Sequence, residues 1–118
     1  MAVMRVVFSN VEAIKIGFGI TIEVGFGQAL WDAEQMETGR MRAGFHQDGV
    51  TLWTADTEDG SITRPGNRKI EISLPASASA LMLPKHVTFD FVRGEGPDAR
   101  AIPGRFHWPV ETQVTENA

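Results

Sequence analysis

The sequence predicts an all-β protein, an antiparallel β-sandwich of about eight short strands built as a single domain over residues 1–118. Apolar and polar residues alternate in five separate runs, which is the pattern of strands buried on one face. Glycine, proline, asparagine and aspartate cluster between these runs, as turns require. The length of 118 residues is close to the commonest domain size and supports one core. A small barrel is the alternative arrangement.

The predicted strands follow one another at short intervals. Two N-terminal runs, residues 3–8 and 13–18, are apolar enough to be strands but show no clear alternation. The five alternating runs are residues 20–26, 41–47, 69–74, 87–92 and 105–110. Residues 50–55 complete a hairpin with the run before them, because the intervening Asp48-Gly49 suits a type I′ turn. Further turns are predicted at Asp59-Gly60 and Pro65-Gly66-Asn67.

Two segments and one glycine interrupt this pattern. Residues 75–83 begin with proline and contain alanines, which predicts one short helix crossing from one sheet to the other. Residues 29–38 are rich in helix formers but short and acidic. Gly104 follows a proline inside the last strand-like run, so we expect a bulge or bend there. The polar residues 115–118 are expected to form a frayed tail.

The composition argues against several classes of function. The chain has no cysteine, which excludes disulfides, cysteine-ligated zinc and thiol chemistry. Its formal charge is −4, with acidic and basic residues interspersed, so we expect no nucleic-acid partner. No stretch approaches the roughly 20 apolar residues that span a bilayer, and the N-terminus lacks an apolar run of signal-peptide length. We therefore expect no membrane partner.

No motif in the sequence indicates catalysis or a cofactor. His46, His86 and His107 lack the spacing of paired metal ligands. The acidic residues within 56–59 lack the full pattern of a calcium-binding loop, and no serine lies in a Gly-x-Ser-x-Gly turn. The sequence therefore predicts a protein that is not an enzyme and has no cofactor or metal site.

Trp31 and Trp53 depart from the alternation of the strands. Trp31 lies beside Asp32 in an acidic segment, and Trp53 lies in the middle of a predicted hairpin strand. Because tryptophan is enriched at binding hot spots, we expect one or both to be partly exposed interface anchors. The aromatic residues of the regular runs are expected in the core.

The second half of the sequence carries an ordered pattern. The segment KIEISLPASASALML is followed by HVTFDFVRGEGPDARAIPGRFHWPVETQVT. This succession of a strand, an alanine-rich turn, an aromatic strand, a loop and a closing strand resembles small tailed-phage virion proteins. It also resembles the N-terminal immunoglobulin-like domain of phage baseplate and fibre-attachment proteins. The matching residues are Leu74, Leu81, Phe89, Asp90, Phe91, Arg100, Gly104, Phe106, Val110, Val114 and Thr115. The resemblance covers residues 40–116, and the N-terminal half departs from the family's opening.

The resemblance implies an immunoglobulin-like fold and a structural role in a tail, baseplate or fibre-attachment region. The partners it implies are other virion proteins in a symmetric assembly, in which the chain is a homo-oligomer or present in many copies. It implies localisation in the virion after synthesis in the host cytoplasm. Four of the matched residues and the neighbouring Trp108 are expected to be structural: Asp90 holds a loop or strand edge, Gly104 gives a bend, and Phe106, Trp108 and Val110 anchor the last strand.

Three other functions are compatible with the sequence. The first alternative is a capsid decoration protein, the second is a carbohydrate-binding module in which Trp31 and Trp53 stack on sugars, and the third is a small hydrolase whose carboxylates meet across a cleft. For the structural roles, edge strands, loop tips and exposed aromatic residues are the expected docking surfaces.

Overall fold

The computed structural model describes residues 12–102 and 104–112 in full and residues 6–8 as backbone. Its strands within these residues are β1 (Val6–Phe8), β2 (Ile14–Lys15), β3 (Ile20–Phe26), β4 (Met41–Gln47), β5 (Val50–Asp56), β6 (Ile62–Gly66), β7 (Lys69–Leu74), β8 (Val87–Arg93), β9 (Arg100–Ala101), β10 (Phe106–Trp108) and β11 (Val110–Glu111). Two short helices interrupt them, α1 (Gln28–Ala33) and α2 (Ala76–Ser79), and a single 3₁₀ turn spans Gly96–Asp98.

The strands form two antiparallel sheets. The first has the order β1-β3-β7-β6, and the second has the order β10-β8-β4-β5, with β9 also paired to β8. A separate parallel pairing joins β2 to β11. The predicted antiparallel β-sandwich is confirmed; the small parallel pair was not predicted.

The strand order is the immunoglobulin-like one. In that fold the strands named A, B, E and D form one sheet, and C, F and G form the other. Here β1, β3, β7 and β6 occupy the places of A, B, E and D, while β4, β8 and β10 occupy those of C, F and G. Strand β5 adds to the free edge of β4, as the extra strand does in variable-type domains. The order agrees with the fold that the resemblance implies.

Aromatic side chains join the two sheets in the core. Phe26 of the first sheet meets Phe91 of the second edge-on, with ring centroids 5.8 Å apart. Phe89 stacks on Phe45 at 4.9 Å. The second sheet's three rings are fully buried, and each such side chain stabilises the fold by roughly 1.5–3 kcal/mol.

Several boundaries differ from the prediction. Residues 62–66, predicted as part of a turn region, form β6, where Pro65 is tolerated because the strand lies at a sheet edge. The run 105–110 is divided at Pro109 into β10 and β11, which pair with different strands. The short helix predicted within 75–83 is confirmed as the single turn α2. The predicted frayed tail, 115–118, lies outside the described residues.

The hairpin between β4 and β5 has the predicted two-residue turn. Gln47 pairs with Val50, and both turn residues have positive φ, 53° at Asp48 and 75° at Gly49. Positive φ at both positions defines a type I′ turn.

Replacing Gly49 with valine should lower the free energy of unfolding by about 1 kcal/mol or more, because a β-branched residue is strained at positive φ. A Cβ at this position would meet nothing within 4 Å, so the cost is conformational rather than steric. Gly49→Asn is the matched control, because asparagine tolerates this region. Equal urea-denaturation midpoints for the two variants would contradict the assignment.

Candidate docking surface

Exposed apolar side chains gather at one end of the sandwich. Phe18, Val50, Leu81 and Leu83 are the large apolar side chains that are exposed among the described residues, each 52–59% accessible. Exposed apolar groups scattered singly are ordinary, whereas clustered ones mark interaction sites. We call these four residues the apolar end.

The topology places these four residues at the same end of the sandwich. Phe18 lies in the turn that leads into β3, and Val50 begins β5 after the type I′ turn. Leu81 and Leu83 lie in the connection from β7 to β8, which crosses from the first sheet to the second. The first residue of β3 pairs with the last residue of β7, and the end of β4 pairs with the start of β8, so these connections leave the sandwich at the same end.

Ser79 fixes the turn that carries Phe18. Its side chain is completely buried, and its hydroxyl donates to the Phe18 carbonyl oxygen at 2.8 Å and accepts from the Gly17 N–H at 3.0 Å. The hydroxyl also lies 3.1 Å from the Ala76 carbonyl oxygen inside α2. A single buried side chain therefore joins α2 to the β2–β3 turn.

Gln47 fixes the segment that carries Leu83. The side chain is 6% exposed, and its amide nitrogen donates to the carbonyl oxygens of Leu83 and Lys85, both at 3.0 Å. Its amide oxygen accepts the Leu83 N–H at 2.8 Å. Three hydrogen bonds from one buried amide hold the β7–β8 connection against the end of β4.

Gln47 and Ser79 both support loops of the apolar end. Gln47 and Ser79 are the buried polar side chains of the described residues, and each holds a loop that presents an exposed apolar group. Buried polar groups that are fully hydrogen-bonded make local structure rigid and specific. The apolar end is therefore preorganised.

Sequence reasoning missed this surface, although one signal was present. Gln47 continues the inward-facing series of β4 as a polar residue, and a polar residue at an inward position needs buried partners. The exposure of Phe18, Leu81 and Leu83 has no such signal, because apolar residues in connections are equally compatible with burial.

Two ion pairs lie at the rim of the apolar end. Lys15 Nζ lies 2.6 Å from Glu111 Oε2, across the β2–β11 pair. Lys85 Nζ lies 2.6 Å from Asp48 Oδ1, next to the type I′ turn. A hollow of about 490 Å³ adjoins Phe18 and is lined by Lys15, Ile20 and Thr21 among others.

The opposite end of the sandwich is a network of charged groups. Arg40 makes two contacts with Asp56, the shorter at 2.6 Å, and also reaches Glu58 at 3.0 Å and Glu95 at 3.1 Å. The hydrogen bonds from Arg40 hold the pKa of Asp56 below its ordinary value. The Asp56 partner in turn raises the pKa of Arg40. This cluster joins the start of β4 to two loops and has a structural role.

A cavity of about 460 Å³ lies at this charged end. Its lining includes Asp32 and Glu37 as well as Arg64 and Arg68, so it does not select for one sign of charge. The Arg64 guanidinium donates hydrogen bonds to the carbonyl oxygens of Met36 and Gly39, both at 2.8 Å. Burial, and then the nearby Arg93, lower the pKa of Arg64.

The outer face of the second sheet carries a constellation that superficially resembles a catalytic triad. His46 Nδ1 lies 2.9 Å from Thr51 Oγ1, and its Nε2 lies 3.4 Å from Asp90 Oδ1. The ring covers Gly44, where a Cβ would approach within 3.0 Å. Strand β4 is paired on both sides, so its backbone N–H groups are not available to stabilise an oxyanion as acyl transfer requires. These contacts are cross-strand hydrogen bonds on a sheet surface.

Of the two predicted anchors, Trp31 is not exposed. It is 6% accessible and packs on Phe26 with centroids 6.0 Å apart, because α1 folds its apolar side onto the core. Its predicted partial exposure is wrong. Trp53 is half-buried against Phe45 on the edge strand β5, and its interface role stays a prediction.

The five predicted structural residues lie in or beside β8, β10 and β11. Asp90 contacts His46 across strands rather than holding a loop or strand edge. Gly104 has φ of 120° and is exposed, so it bends the chain before β10 rather than within a strand. Trp108 and Val110 are buried, while Phe106 is partly buried.

Two of the edge strands, β5 and β6, are protected against pairing. Strand β5 has a bulge opposite residues 45 and 46, and the Asp56 N–H at its end donates to Ser61 Oγ at 2.8 Å. Strand β6 contains Arg64 and Pro65. Bulges, charges and proline are the usual means of blocking edge pairing. The apolar end is therefore a stronger docking candidate than the edge of β5 or of β6.

Within the residues that the structure describes, no three His, Asp or Glu side chains are placed to hold a metal ion. In the same part of the chain, no helix is long and apolar enough to cross a membrane. A comparison with protein-family models found no match, and a search of curated proteins likewise found none.

Proposed function

We propose that this chain is a structural docking domain of a tailed-phage virion, in the tail, baseplate or fibre-attachment region. The apolar end carries the docking part of the proposal. Its loops are held by both buried polar side chains of the described fold, although the side chains they present are exposed. A surface that is apolar, exposed and preorganised binds with a low entropic cost of ordering.

The virion part of the proposal is supported by the resemblance of residues 40–116. A rigid end-on docking module suits repeated use in a symmetric particle, where each copy meets the same neighbour. A capsid decoration protein is the alternative, because such a protein would use the same surface to bind the capsid lattice.

A carbohydrate-binding function has less support. The three tryptophans of the chain are buried or half-buried, whereas stacking on sugars needs exposed aromatic faces.

The test measures whether the chain is incorporated into virus particles. We expect mass spectrometry to find it in virions purified from bacteria that carry its gene within a phage genome. A Leu81→Glu/Leu83→Glu double variant should be lost from the particles, because charges would replace apolar contacts, yet it should keep its stability since both side chains are exposed. Thr54→Glu, on the exposed outer face of the second sheet, is the matched control and should be incorporated normally.

Two results would contradict the proposal in different ways. Absence of the wild-type chain from purified particles would reject the virion assignment. Normal incorporation of the double variant would show that docking uses another surface.

A further inference from the structure

We infer that Arg64 and Arg93 form a binding site for one carboxylate group at the charged end of the sandwich. This site goes beyond the proposed function, because it does not involve the apolar end and takes a ligand of different chemistry. It is carried by the way in which the two guanidinium groups are held, by their lack of a counter-ion and by the cavity that reaches Arg64.

The two guanidinium groups meet at the connection between α1 and β4. Arg64, from β6 of the first sheet, donates from Nε and Nη2 to two carbonyl oxygens of this connection, both at 2.8 Å. Arg93, from β8 of the second sheet, donates from the same two nitrogens to two further carbonyl oxygens, at 2.7 and 3.3 Å. The four acceptors lie within residues 35–39. Each guanidinium is therefore fixed in one orientation, which is the preorganisation that a binding site needs.

Gly39 keeps the two cations side by side. Its carbonyl oxygen accepts the hydrogen bond from Arg64 Nη2, and a Cβ on this glycine would lie only 3.2 Å from Arg93 Nη2. Its φ of 85° also favours glycine. A side chain at this position would push Arg93 away, so the backbone here is suited to holding both guanidinium groups against one residue.

Neither of these cations has a counter-ion among the described residues. Neither forms an ion pair there, and the Nη1 group of each makes no hydrogen bond. Arg40, at the same end, instead contacts three carboxylates. Arg64 and Arg93 are both partly buried, and burial, followed by the charge of Arg93, lowers the pKa of Arg64. An anion shared by the two Nη1 groups would offset the cost of holding like charges together.

A carboxylate is the anion that suits this arrangement. It presents two oxygens in one plane, and guanidinium groups bind such pairs of oxygens well. The cavity of about 460 Å³ leads to Arg64 and is also lined by Asp32 and Glu37, which form no ion pair among the described residues. These two carboxylates repel a dianion such as phosphate more strongly than a monoanion. The bound carboxylate belongs either to a small organic acid or to an acidic side chain of a partner protein.

Nuclear magnetic resonance of the arginine side chains provides the test. The Nε–H groups of Arg64 and Arg93 are held by carbonyl oxygens, so each should give a distinct signal. Acetate should shift both signals with a dissociation constant of about 1–10 mM, whereas sodium chloride at equal ionic strength should not. Phosphate, which is mostly a dianion at a pH of about 8, should bind about threefold more weakly than acetate.

Three variants separate the site from general charge effects. Arg93→Gln should weaken acetate binding roughly tenfold, because a charged hydrogen-bond donor is lost. Glu37→Gln leaves both guanidinium groups in place and should strengthen binding about two- to fivefold, because a repelling charge is removed. Arg105→Gln, at an exposed position outside the site, is the matched control and should bind acetate as the wild type does.

Three results would overturn the inference. They are no saturable shift in the wild type, tighter binding of phosphate than of acetate, and binding that occurs only in Glu37→Gln, which would make Glu37 the counter-ion. An end-blocked peptide with one aspartate distinguishes the two sources of the carboxylate. Tighter binding of the peptide than of acetate indicates a partner protein, and equal binding indicates a small acid. Since none of these measurements involves the apolar end, they leave the proposed function to its own test.

Discussion

Replacing Trp108 with alanine should lower the free energy of unfolding by about 3–5 kcal/mol, the range for removing a large buried aromatic side chain. Trp108 is 2% exposed and packs 6.3 Å from the ring of Phe89. Its indole Nε1 donates to the Glu12 carbonyl oxygen at 2.8 Å, so the same side chain fills the core and holds the segment before β2. Since small domains are stable by only about 5–15 kcal/mol, this variant should be only marginally folded.

Trp108→Phe separates these two contributions. It keeps most of the buried area but leaves the Glu12 carbonyl oxygen without its donor, so a loss of about 1–2 kcal/mol is expected. Urea denaturation followed by circular dichroism measures both variants. Near wild-type stability of Trp108→Ala would mean that β10 does not present this residue to the core.

Period-two alternation was enough to predict the strands that form the core. In β3, β4, β7 and β8 every second residue faces the other sheet, and the burial of these strands follows that alternation. The hairpin at Asp48-Gly49 could be predicted because its two residues need positive φ. These features depend on local sequence alone.

The features that sequence reasoning missed depend on contacts between distant segments. Strand β6 is short and contains proline, and it becomes a strand only because β7 lies beside it. Trp31 looked exposed among acidic neighbours, yet the packing of α1 directs its ring onto Phe26.

The apolar end was missed for the same reason. It is assembled from three connections between strands. Gln47 and Ser79, which support these connections, make hydrogen bonds to partners that lie between 36 and 62 positions away in the sequence. Composition alone does not indicate whether an apolar residue in a loop is covered.

Replacing Gln47 with leucine should lower the free energy of unfolding by about 1–3 kcal/mol, the cost of leaving buried polar groups without partners. Leucine fits the apolar surroundings of β4 but leaves the Leu83 N–H and the Leu83 and Lys85 carbonyl oxygens without the amide. Gln28→Leu, at an exposed position of α1, is the matched control and should change stability by less than about 0.5 kcal/mol.

The Gln47→Glu variant tests the polarity of these bonds while keeping the shape. A carboxylate can still accept from the Leu83 N–H, but it faces the two carbonyl oxygens that the amide nitrogen contacts. This arrangement disfavours the charged form and raises the pKa of the new carboxyl in the folded state. The variant should therefore be least stable at neutral pH and recover part of its stability, relative to the wild type, as the pH falls and the protonated acid can donate.

Docking provides a readout that stability alone does not. Because Gln47 holds the segment that presents Leu83, hydrogen exchange at residues 81–86 should accelerate in Gln47→Leu even where the rest of the domain stays protected. If the apolar end is the docking surface, this variant should also incorporate poorly into particles although Leu81 and Leu83 are unchanged. Unaltered exchange in this segment would show that the β7–β8 connection is held by other contacts, and that Gln47 is not its anchor.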